Sequence, residues 1–101
     1  MPYFIFHGHD IENGAAIRAE TRPEHQVYIR AQHEGCSLVA GGPLTADSGT
    51  PMIGTLLILD AEDRAAVERF LAGDPYAKAG LFTKTELLHW QWGFGAPQKP
   101  E

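Results

Sequence analysis

Four apolar runs, at residues 2–8, 36–42, 52–59 and 81–92, alternate with two helix-forming segments in the order β-α-β-β-α-β. That order constrains the chain more than any single motif, because each strand must bury an apolar face and few small architectures allow it. An α+β fold of the ferredoxin-like βαββαβ type, with a four-stranded antiparallel sheet and two helices on one face, is the smallest standard solution. A chain of 101 residues has room for one such domain and none for a doubly wound nucleotide fold. The expected domain spans residues 1–93, followed by a proline-bearing tail at 94–101.

Within that order, the first run is apolar on both faces, which suits a strand covered on both sides. Residues 8–22 read as a polar loop long enough to act as a pocket lid. Pro23 followed by Glu24 is a favourable helix start, giving a helix over 23–34 with Val27, Tyr28 and Ala31 on its apolar stripe and Gly35 at its end. The second strand runs into Gly41-Gly42-Pro43-Leu44, where the glycines permit close backbone approach and Pro43 is expected to stop ladder pairing. Residues 45–51 form a turn. Asp60 is placed to cap a second helix that buries Val67, Phe70 and Leu71 and ends at Gly73. Asp74-Pro75 then opens a single helical turn before the last strand. The strands carry more apolar area than one helical layer covers, which predicts a homodimer or a higher oligomer.

Charge removes several function classes. Eight Lys and Arg stand against 13 Asp and Glu, a formal charge of −5, and the basic residues are scattered. Nucleic acid and anionic membranes are therefore poor partners. The lone Cys36 excludes an internal disulfide and any multi-cysteine metal cluster. No basic leader precedes the first apolar run, and no uninterrupted apolar stretch approaches about 18 residues, so a cytoplasmic protein is expected.

Among the five histidines, His25 falls in the first turn of the expected first helix, on the side that the Asp74 turn approaches. If the two meet, the carboxylate fixes the imidazole tautomer and leaves the other nitrogen as a base. Spacing by itself favours a plainer reading, in which Asp74 only caps a helix and His25 is exposed. His7 and His9 flank Gly8 and either chelate a metal or end a strand beside a pocket. With Asp10 the nearest carboxylate and neither HExxH nor CxxC present, no metal centre is expected. His33 suits a solvated helix end, His89 a strand or interface position, and Trp90 and Trp92 one face of the last strand. The Gly41-Gly42 segment lacks both the Lys-Ser/Thr of a phosphate loop and a GxGxxG pattern. Ser48 has no nucleophile-elbow context, and Cys36 reads as a small hydrophobe.

Arg22-Pro23-Glu24-His25, Gly41-Gly42-Pro43-Leu44, Asp74-Pro75-Tyr76 and Ala79-Gly80-Leu81, taken in their order and separation, resemble the YCII-related family over roughly residues 3–92. The resemblance implies a dimeric α+β barrel in which two sheets pack face to face. It also implies a pocket with a catalytic dyad of His25 and Asp74. In this chain Gly42, Pro43 and Tyr76 are expected in the pocket wall, and His7 and His9 form a rim of its own. The family is similar to muconolactone isomerases and to a dehydrochlorinase of a chlorinated hydroxyhydroquinone. The implied activity is therefore isomerisation or elimination on a small molecule, without cofactor, metal or covalent nucleophile. A non-catalytic metabolite-binding or accessory domain is the alternative.

Overall fold

In the computed structural model, residues 2–96 are described. The elements are β1 (Tyr3–Asp10), α1 (Ala15–Arg30), β2 (Cys36–Thr45), β3 (Met52–Ala61), α2 (Arg64–Ala72), α3 (Pro75–Lys78) and β4 (Phe82–Trp90). The strands form one antiparallel sheet in the order β2-β3-β1-β4. Strand alternation sorts the side chains: Phe4, Phe6, Leu57 and Leu59 point to the helices and join Val67, Phe70, Cys36 and Ala61 in the core. Tyr28, Ile29, Leu38 and Leu87 pack against its margin.

The α+β class and the four-stranded antiparallel sheet stand, but the barrel does not. Strands β2 and β4 are the two edges and pair with no further strand among the described residues, so the sheet is open. Of the expected tail, residues 97–101 lie outside the described residues; Phe94, at its start, is 94% exposed.

Four local expectations need correction. Residues 8–22 are not a lid: β1 continues to Asp10, and α1 begins at Ala15, 8 residues before Pro23. The run Ala15-Ala16-Ile17-Arg18-Ala19-Glu20 is rich in strong helix formers, and this outweighs the preference of proline for a first turn. Pro23 therefore sits inside the helix, which ends at Arg30 rather than near residue 34. Pro43 does not end the ladder, since β2 pairs through it, with Pro43 opposite Thr55. An edge strand tolerates a residue with no N–H to donate. Asp60 is not a cap, because β3 extends to Ala61; Asp63 caps α2 instead, accepting from the Ala66 N–H at 2.8 Å. The Asp74 cap on α3, with Pro75 at the first helical position, is as expected.

Candidate active site

One face of α1 lines the site. Ala15, Arg18, Ala19, Arg22, His25, Gln26 and Ile29 recur at three- and four-residue spacing and so share a stripe. Opposite them lies the glycine-rich part of β2. Between the two is a cavity of about 560 Å³, closed at the α3 end by Tyr76. Gly42 and Pro43 are in its wall. A β-bulge between Leu38 and Ala40 bends β2 just before this wall, a common device beside functional pockets.

His25, the eleventh residue of α1, is buried rather than exposed in a first turn. Its Nδ1 lies 2.7 Å from Asp74 Oδ1, and Asp74 is 1% exposed. Against an ionised carboxylate, which only accepts hydrogen bonds, Nδ1 is the donor; in the neutral imidazole the lone pair is then on Nε2. The same Asp74 oxygen accepts from the Tyr76 backbone N–H at 3.1 Å, so the cap of α3 and the histidine's orienting group are one atom. Asp74 Oδ2 is buried with no hydrogen-bond partner among the described residues. The Tyr76 ring stacks on the imidazole, with centroids 3.9 Å apart and planes 16° apart. Burial pushes the Tyr76 phenol above its ordinary value, partly offset by the charges of Arg18 and Arg22.

Arg18 is the residue that sequence reasoning missed. It is 6% exposed and holds Asp10 through two bonds, Nε to Oδ2 at 2.6 Å and Nη2 to Oδ1 at 2.9 Å. It also donates from Nη2 to Gly54 O at 2.7 Å and to Thr55 Oγ1 at 2.8 Å. Its guanidinium carbon lies 5.2 Å from the centre of the Tyr76 ring. A single buried cation thus ties α1, β1 and β3 together beneath the cavity. The helix-forming run around Arg18 was the available signal.

The remaining candidates separate. His7 and His9 do not reach the cavity; alternation puts them on the other face of the sheet, against Glu86 of β4. His33 bonds the Tyr28 carbonyl at 2.6 Å and packs on Phe70 instead of facing solvent alone. His89 meets the edge of Phe4. Cys36 is buried, and burial, with the Asp60 charge beside it, pushes its thiol up to about 11, which suits a packing residue rather than a nucleophile. Ser48 is confined to a turn, donating to Thr50 O.

A YCII-related domain model matches residues 1–91. The chain belongs to the YCII-related family. This YCII-related chain is 26% identical over 84 residues to the protein YciI of Escherichia coli O6:H1 and to that of Shigella flexneri, over 78% of its own length and 86% of theirs. It also resembles the solved structure of 5-chloro-2-hydroxyhydroquinone dehydrochlorinase from Burkholderia phenoliruptrix AC1100 in complex with 2,5-dihydroxybenzoquinone. That likeness has a TM-score of 0.80 and 30% identity, covering 90% of the YCII-related chain and 95% of the other.

Proposed function

We propose that this YCII-related protein is a small-molecule enzyme in which His25 moves a proton on a hydroxylated or carboxylated substrate and Asp74 holds and charges-balances the imidazole. The observation that carries this reading is the buried 2.7 Å contact of His25 Nδ1 with Asp74, on a histidine that lines the cavity. With Nδ1 committed, Nε2 is the nitrogen left for substrate. It takes a proton from a phenolic hydroxyl or from a carbon beside a carbonyl. Returned at a ring carbon, that proton gives a keto tautomer, which completes an isomerisation; where that carbon bears chlorine, it is now tetrahedral, and loss of a second hydroxyl proton pushes an electron pair through the conjugated system and expels chloride. Asp74 stabilises the imidazolium formed in the first step. Arg22 and Arg30, both exposed side chains at the cavity, offer charge to an anionic substrate, while Gly42, Pro43 and Tyr76 shape the wall. The dehydrochlorinase likeness supports an elimination on an oxygenated ring. We also infer a cytoplasmic homodimer, in keeping with the free Cys36 and the exposed Leu88.

Chloride release from 5-chloro-2-hydroxyhydroquinone tests the reading directly. Wild type should turn over, and His25→Ala should lose about 10²- to 10⁴-fold in rate, the usual share of a general acid–base group. Asp74→Asn, which no longer balances the imidazolium, should also lose rate. Calorimetry on His25→Ala should show that part of the ligand affinity survives. Turnover unchanged in His25→Ala sinks the acid–base role. Tight binding by wild type without turnover of this compound or of related phenols and lactones favours a non-catalytic metabolite-binding domain instead.

A further inference from the structure

Away from the cavity, on the other face of the sheet, a second cluster of chemically capable side chains is built into the strands. Because Phe4 and Phe6 point to the helices, His7 and His9 project together from the opposite face of β1. In the register of the sheet, His7 is directly opposite Glu86 of β4. Glu86 Oε1 lies 3.3 Å from His7 Nδ1 and 2.8 Å from His9 Nε2, and the two imidazoles are 3.9 Å apart, centre to centre. One ligand atom from each residue falls within 4.8 Å of the others. An ordinary cross-strand ion pair joins one base to one carboxylate. Here two imidazoles converge on a single oxygen. Tetrahedral metal–ligand bonds of about 2.0–2.2 Å set neighbouring ligand atoms roughly 3.3–3.6 Å apart, so the His7 separation already fits and the His9–Glu86 hydrogen bond opens slightly as the ion enters.

We propose that His7, His9 and Glu86 bind a first-row transition dication of the zinc class. Two imidazoles and one carboxylate form a recurrent ligand set for such ions and a poor one for Mg²⁺ or Ca²⁺, which favour oxygen. All three ligands sit on paired strands, so little ordering entropy remains to be lost when the ion enters. The hydrogen bond from His9, aided by the charges of Lys84, His7 and His9 against some desolvation, holds the Glu86 carboxyl below the usual carboxylate range. Lys84, two residues before Glu86 and paired with His9, brings a positive charge that opposes the ion. An imidazole nitrogen binds a metal only without its proton, so any proton held there leaves as the ion enters.

The test uses tag-free full-length protein stripped with chelator and then titrated with Co²⁺ followed by visible absorption and with Zn²⁺ followed by calorimetry. One ion per chain is expected, with heats that depend on the buffer's ionisation enthalpy and a rise in Tm on metal addition. His9→Ala and Glu86→Gln should each weaken binding by at least about tenfold, a loss known even for groups that only support a ligand. Lys84→Ala should tighten it. Circular dichroism of the metal-free variants checks folding; Glu86→Gln keeps the side-chain shape and carries the test if the alanine variant misfolds. Absence of uptake by wild type overturns the site and leaves a cross-strand ion pair only. So does affinity unchanged in Glu86→Gln, or affinity lost in His33→Ala or His89→Ala while His9→Ala retains it.

Discussion

Arg18 shows how much one side chain decides in a small domain. Its guanidinium and the Asp10 carboxylate are 8% and 5% exposed as side chains, so neither charge is relieved by water. Removing one partner leaves the other buried and unpaired, at a cost of about 3–5 kcal/mol. Arg18→Met should therefore lower stability by that amount in urea titrations, and Arg18→Lys by less, since lysine keeps the charge but not the two-pronged grip. A loss below about 1 kcal/mol in Arg18→Met would show that the pair is strongly solvated and would remove Arg18 as the brace of the cavity. Asp74 was legible from the sequence because its capping role is local: Asp-Pro at a helix start has a short-range cause. Arg18 was not, because its value arises from Gly54 and Thr55, which are 36 and 37 residues away.

At the level of elements, the misread stretch was α1, and the reason is a conflict between two valid local rules. Proline is well placed in a first turn, yet the alanine-rich run before it also favours helix, and burial of Arg18 and His25 on one stripe settles the outcome. The stripe, at 15, 18, 19, 22, 25, 26 and 29, is visible in the sequence once the start is moved back to Ala15. The paired glycines of β2 show the converse: adjacent and identical in sequence, they differ in the fold. A Cβ on Gly41 would lie 2.6 Å from Leu57 Cδ2 and 3.1 Å from the Leu56 carbonyl oxygen, whereas one on Gly42 meets nothing within 4 Å. Gly41→Ala should thus cost about 1–3 kcal/mol through overpacking against the core, with a matching fall in Tm. Gly42→Ala should leave Tm within a degree or two, since the added methyl meets no neighbour. Equal Tm losses in the two variants would contradict this assignment of roles.

Across the whole molecule, the features of most chemical interest are long-range: His25 meets Asp74 across 49 residues, and His9 meets Glu86 across 77. Strand periodicity gives the face a side chain takes, but register and helix placement decide which partner it finds, and neither is written in any local stretch. The apolar excess of the strands is a property of composition and was legible. After the helices cover one face, Leu88 on the other remains 56% exposed, while its neighbours Ile5, Leu56 and Ile58 are only half-buried. A monomer seldom leaves apolar patches beyond a few hundred Å² in water, and a stable pair needs to bury about 800 Å² on each partner. Light scattering on a sizing column should accordingly give twice the 11.1 kDa of one chain. Because association stabilises the folded state by mass action, Tm should rise with protein concentration. Leu88→Lys places a charge where the proposed homodimer needs an apolar contact, so it should shift the mass toward one chain and remove the concentration dependence. A wild-type mass of one chain at every concentration, with the same Tm in Leu88→Lys, would mean that water covers these residues in the working protein and that each cavity acts alone.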